Sequence, residues 1–109
     1  MKKYPKRGDI IIVNFSPTSG HEQSGLRPAV VLSFDIFNEQ SGFILVAPVT
    51  SKIKGNPFEV ILDATKKNGV VLADQIKIID FVSRKIKIAD KVSEETVLKI
   101  IKKMEHIYK

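Results

Sequence analysis

The chain has 109 residues, of which 43% are apolar and 28% charged, and it contains no cysteine. One globular domain spanning 1–109 is therefore expected, with disulfides and cysteine-ligated metal excluded and a reducing, cytoplasmic setting favoured. Lys and Arg number 18 against 12 Asp and Glu, a net charge of +6 with a pI near 9.6, which suits a polyanionic partner such as nucleic acid or an acidic protein segment.

The basic start "MKKYPKRGD" is followed by "IIIVNF". That run is too short for a leader's hydrophobic core, and no apolar run approaches the roughly 18 residues of a membrane span. "DIIIVNF" (9–15) is a β-branched run behind the turn pair Arg7-Gly8 and reads as the first strand. "SPTSGHEQSG" is a loop, and "PAVVLSF" (28–34) a second strand. After the breaker "NEQSG" come "GFILVAPVT" (42–50) and, past "SKIKGNP", the strand "PFEVIL" (57–62). "GVVLADQIKIIDFV" (69–82) predicts one bent strand or two, with the bend at Ala73-Asp74, and "SRKIKIADKV" alternates as a half-buried strand does.

Only the C-terminus has a helical pattern. Ser93 is a suitable N-cap, and Glu94 and Glu95 sit in the first turn, where the helix dipole favours negative charge. Val97, Ile100, Ile101, Met104, Ile107 and Tyr108 then recur at three-to-four spacing, with Lys99, Lys102 and Lys103 on the other face. The expected fold is mainly β with a C-terminal helix, a small curled sheet or barrel.

Motifs for metal, nucleotide or serine-nucleophile chemistry are missing. His21 and His106 are far apart, and there is no HExxH, Walker loop, GxGxxG or GxSxG. What remains is a loop carrying His21, Glu22 and Arg27, the strand-end hydroxyls of "PVTS" (Thr50 and Ser51), and polar groups near strand ends: Asn38, Lys54, Asp74, Gln75 and Lys77. Arg27 precedes Pro28, which holds it extended and fixes where its side chain leaves the backbone. Its planar fork matches a phosphate or carboxylate. The plainer alternatives are a surface ion pair with Glu22 for Arg27, and a turn or cap role for Thr50. Taken together these groups suit metal-free RNA cleavage. The substrate's own 2′-OH attacks the adjacent phosphate while the protein supplies positive charge, hydrogen-bond donors and a proton route.

"KRGDIIIVNFSPTSGHEQSGLRPAVVLS", "APVTSKIKGNPFEV" and "NGVVLADQIKIID", in that order, resemble the MazF/PemK family of bacterial toxin endoribonucleases, its MazF branch most closely. The resemblance runs from Gly8 to about Asp80. It implies an SH3-like, CcdB/MazF-like small β-barrel that forms a homodimer. It also implies sequence-specific, metal-independent cleavage of single-stranded RNA without a cofactor, and inhibition by an antitoxin whose acidic C-terminal tail occupies the RNA groove. The family's key Arg falls on Arg27 and its key Thr on Thr50, and Glu22 aligns with an acidic loop residue. Phe15, His21, Asn38, Lys54, Gln75 and Lys77 are the expected RNA contacts. "ADQIK" follows the MazF version, with Asp74 the nearest acid to the PemK branch's downstream set. A CcdB-like barrel that poisons a protein target, and a barrel that binds RNA without cutting it, are the alternatives from other classes.

Overall fold

The computed structural model describes residues 4–14, 26–62 and 68–108. Seven strands and two helices follow in chain order: β1 (Asp9–Asn14), β2 (Leu26–Val31), α1 (Asp35–Ser41), β3 (Phe43–Thr50), β4 (Glu59–Ile61), β5 (Val70–Leu72), β6 (Lys77–Asp80), β7 (Ile86–Lys91) and α2 (Glu94–Tyr108). All strand pairings are antiparallel, in the order β4-β5-β3-β2-β1-β7. β3 is the hub. β2 lies along one edge, while the other edge is shared by β6 at Phe43–Val46 and β5 at Val49–Thr50.

Mainly β with a C-terminal helix is the architecture found. Among the described residues, however, no pairing joins β4 to β7, so the expected barrel is an open sheet. The two ends of the sheet differ in character. β4 is only three residues long, and β7 is mostly exposed and carries Lys87 and Lys91.

The central strands are apolar without alternation because both of their faces are covered. Ile11, Val13, Ala29, Val31, Ile44 and Val46 join Ile79 in one buried cluster. The opposite parity, Ile10, Val30, Leu32, Ala47 and Val49, meets Val60, Val71, Val97 and Ile100 in a second. α2 thus packs on the second face through Val97 and Ile100. Its expected cap is present, with Ser93 Oγ accepting from the Thr96 N–H at 3.2 Å. The apolar stripe ends early, since Ile107 and Tyr108 are exposed.

Of the two readings of 69–82, two strands are found, with residues 73–75 turning between β5 and β6. One element departs from the pattern reading. "DIFNEQS", expected to contain a breaker, is the helix α1. Its apolar residues Ile36 and Phe37 are exposed, and the residue it buries is Asn38, so it has no hydrophobic period to announce it. Gly42 ends it in the left-handed conformation at φ 78°, donating its N–H to the Asn38 carbonyl at 3.2 Å.

Arg7, part of the basic surface on sequence grounds, is a structural tie. Its guanidinium donates to both carboxylate oxygens of Glu94, at 2.9 and 3.2 Å, and to the Leu32 carbonyl at 3.3 Å. It lies 4.4 Å from the centre of the Phe34 ring. The start of α2, the end of β2 and the N-terminal turn are joined at this side chain. At the β6–β7 turn, the Ser83 N–H and then the Val82 N–H hold the Asp80 carboxylate below its ordinary pKa.

Candidate functional site

The β2–β3 register pairs Ala29 with Pro48, Val30 with Ala47 and Val31 with Val46. Continued toward the open end, that register sets Arg27 opposite Thr50. Pro28 lies between Arg27 and the paired residues and has no N–H to extend the ladder. The strands can part here, and they do. Arg27, Pro28, Val49, Thr50, Ser51, Lys52 and Asn68 line a cleft of about 440 Å³, within the ~300–1,000 Å³ range of small-molecule and cofactor sites.

The cleft is built for an anion. Its described lining contains two cations, Arg27 and Lys52, and no carboxylate. The Arg27 side chain shares its face of the sheet with Ala29 and Val31, so its stem rises from a packed floor. Thr50 Oγ1 accepts the Lys52 N–H at 3.1 Å. That bond orients the hydroxyl through one of its lone pairs and leaves the O–H free to donate. On its other side Thr50 pairs with Val70 in β5. Gly69, at φ 146°, lies so close that a Cβ there would sit 2.4 Å from the Thr50 carbonyl oxygen. Only a glycine lets β5 approach Thr50 this closely.

Of the residues expected to act, Arg27 and Thr50 are brought together. Phe15, His21 and Glu22 lie outside the described residues. Lys77 begins β6 opposite Val46, on the face that carries Thr50, but four residues back along β3, a distance of roughly 13 Å. Lys54 is exposed in the loop after β3, whose shape is held by Glu59: its carboxylate accepts the Lys54 and Gly55 N–H groups, each at 3.1 Å. Gln75 is exposed in the β5–β6 turn.

Asn38 is placed differently from expectation. It is fully buried. Its amide donates to the Pro5 carbonyl at 2.9 Å and to the Ser33 carbonyl at 3.3 Å, and its oxygen accepts from the Ser33 hydroxyl. These bonds use the side chain inside the fold. Lys52 and Asn68 were not anticipated in the cleft. The nearest signal for Lys52 is its place two residues after Thr50. Asn68 carries none beyond its neighbour Gly69.

Residues 6–108 match the family model described as PemK-like, MazF-like toxin of type II toxin-antitoxin system. The endoribonuclease toxin MazF of Escherichia coli (strain K12) is 50% identical over 80 residues, 73% of this chain and 72% of that protein. The crystal structure of MazF (Form-I) from Deinococcus radiodurans superposes with a TM-score of 0.87 at 37% identity, covering 97% of each chain. A MazE–MazF crystal structure (Form-II) from the same organism gives 0.88 at 37% identity, covering 97% of this chain and 96% of that one. With a family model that spans nearly the whole sequence, the chain belongs to the PemK-like, MazF-like toxins of type II toxin–antitoxin systems.

Proposed function

We propose that this toxin is an endoribonuclease that cuts single-stranded RNA at the Arg27–Thr50 cleft, without a metal or cofactor. The observation that carries the reading is the meeting of Arg27 and Thr50 in a cleft whose described lining holds cations and no acid. The substrate's 2′-OH attacks the neighbouring phosphorus, and the 5′-oxygen of the next nucleotide leaves. The products are a 2′,3′-cyclic phosphate and a 5′-OH. Charge builds on the non-bridging oxygens as the phosphorane forms.

Arg27 stabilises that charge. A guanidinium stays protonated at any ordinary pH, so it acts as a fixed cation and not as the base. Thr50 donates its O–H to a non-bridging oxygen, and Lys52 adds a second positive charge at the rim. Glu22, or His21, accepts the 2′-OH proton, and the departing 5′-oxygen takes a proton from water or from that same group in its protonated form, giving the 5′-OH. Lys54, Gln75 and Lys77 extend the basic surface along the flanking nucleotides.

The natural regulator is a MazE-like antitoxin with an acidic, flexible segment that competes for the same cations. The toxin works in the cytoplasm as a homodimer. The MazE–MazF structures of relatives support the partner, and the endoribonuclease relatives support the reaction.

The experiment is an incubation with a long single-stranded RNA in EDTA, followed by mapping of 5′ ends. Discrete cuts are expected, and they should vanish where a single 2′-deoxy sugar replaces the ribose at the cut. Cleavage at the modified position would mean that the nucleophile is something other than the 2′-OH.

A further inference from the structure

A second groove lies between β4 and α2, lined by Glu59, Val60, Ile61, Lys99, Lys102, Lys103 and His106, with a volume of about 580 Å³. We propose that it docks an extended acidic peptide, which adds a strand to the open edge of β4 while its carboxylates meet the lysines of α2.

The first support is backbone geometry. Alternate residues of an antiparallel strand turn their N–H and C=O toward the partner strand. The Leu62 N–H donates to the Gly69 carbonyl at 3.1 Å, and the Ala73 N–H to the Phe58 carbonyl at 3.0 Å. Phe58, Val60 and Leu62 therefore face β5, and Glu59 and Ile61 face outward. The outward Glu59 N–H is taken by the Asn56 carbonyl of the preceding turn, at 3.0 Å. Nothing among the described residues takes the outward N–H and C=O of Ile61, because β4 ends the sheet. The Ile61 side chain is itself 71% exposed. An extended peptide supplies both missing backbone partners and has apolar side chains to cover the isoleucine.

Charge is the second support, and it is independent of the first. Lys99, Lys102, Lys103 and His106 stand three and four residues apart, on one stripe of α2. Lys103 is anchored to the Pro57 carbonyl at 2.6 Å, which fixes the stripe against the start of β4. Lys99 makes only an exposed contact with Glu95, at 3.7 Å. Among the described residues, neither Lys102 nor His106 enters an ion pair. The one acid in the lining, Glu59, has both carboxylate oxygens turned to the Lys54 and Gly55 N–H groups.

The same features favour a peptide over RNA. No Phe, Tyr or Trp lines the groove, and His106 is its one ring, whereas single-stranded RNA is held largely by successive bases stacking on such rings. An open strand edge is a template for another polypeptide. Ile61, Val70 and Thr50 lie abreast on three neighbouring strands, so the open edge of β4 is about 10 Å from the Thr50 backbone, a span of roughly three extended residues. A single acidic segment can occupy both groove and cleft, gaining affinity from the linkage. Peptide docking on β4 stands whether or not the cleft cuts RNA.

The test uses the full, isotope-labelled chain and a short synthetic peptide alternating glutamate with valine. The expected result is a shift of the Ile61 amide and of the α2 resonances from Lys99 to His106. Lys102→Glu should weaken binding roughly tenfold by charge reversal while leaving RNA cleavage unchanged. Ile61→Pro removes an outward N–H that β5 does not use and should weaken binding by about threefold to tenfold. If Ile61→Pro melts early, a probe peptide N-methylated on its pairing edge replaces it and should lose binding to the unaltered protein. Lysines beside an edge also serve simply to repel other strands. Absence of binding at millimolar peptide would support that role and overturn the proposal. So would shifts confined to Arg27 and Thr50, or an oligouridylate of equal charge moving the Ile61 amide as far as the peptide does.

Discussion

At the scale of single residues, one charge, one hydroxyl and one missing Cβ can be tested in turn. Arg27→Ala should leave the fold intact, because the side chain lies outside both buried clusters. Cleavage should fall about a hundredfold or more, the scale of losing one preorganised charged donor. Thr50→Val should cost less, roughly tenfold, since a neutral hydrogen bond is the weaker one. Initial-rate assays on both variants, beside their thermal melts, check the order. Arg27→Ala cutting at the parent rate would move the site elsewhere. Gly69→Ala is the converse case, a change that touches no substrate. Its Cβ would lie 2.4 Å from the Thr50 carbonyl oxygen, on a backbone already at φ 146°. β5 must then retreat, and Thr50 with it. A stability loss of about 2 kcal/mol or more is expected, together with slower cleavage by the molecules that remain folded. Denaturant titration and active-site counting separate the two effects. Normal stability with normal activity would show that the close approach is not needed.

At the scale of elements, legibility followed apolar pattern. "DIIIVN" and "FILVAPVT" announced β1 and β3 because β-branched residues filled both faces. Ser93 with the recurrence of Val97, Ile100 and Ile101 announced α2. α1 was illegible for the opposite reason: it packs a polar residue inward and leaves its apolar ones in solvent. That inversion makes Asn38 a test of the element. Asn38→Ala strips partners from the Pro5 and Ser33 carbonyls and the Ser33 hydroxyl. Leaving such groups buried and unpaired should cost about 2–3 kcal/mol. RNA affinity, corrected for the folded fraction, should not change. A selective loss of affinity at full stability would restore Asn38 to the RNA surface. The site was legible only in part, for a similar reason. Arg27 is flagged by Pro28 and Thr50 by its strand end, both local signals. Lys52 and Asn68 enter the cleft through a turn and a cross-strand approach, which no local pattern encodes.

At the scale of the whole molecule, a net charge of +6 sets how binding responds to salt. Single-stranded RNA loses about 0.7 of a log unit in affinity per neutralised phosphate for each decade of salt. If Arg27, Lys52 and Lys77 each meet one phosphate, the slope should be near −2. An antitoxin's acidic tail should compete with RNA but show a shallower slope, because its apolar anchors are not screened. A titration of labelled, non-cleavable RNA against the tail at several salt concentrations measures both. Simultaneous binding with unchanged RNA affinity would rule out a shared groove.

The order in which β3 acquires its neighbours bears on when the toxin becomes dangerous. Arg27 and Thr50 are both synthesised within the first half of the chain, yet Thr50 is braced by Val70, and the rest of that edge by Lys77–Asp80. β1 waits longer still, for Ile86–Lys91. A growing polypeptide that has just exposed the Arg and the Thr therefore has a hub strand with one side bare. The expected consequence is that the product on the ribosome stays inert until most of the coding sequence has been read. Stalled nascent chains ending at Leu62 should be unable to cut RNA, whereas full-length chains released from the ribosome should cut it.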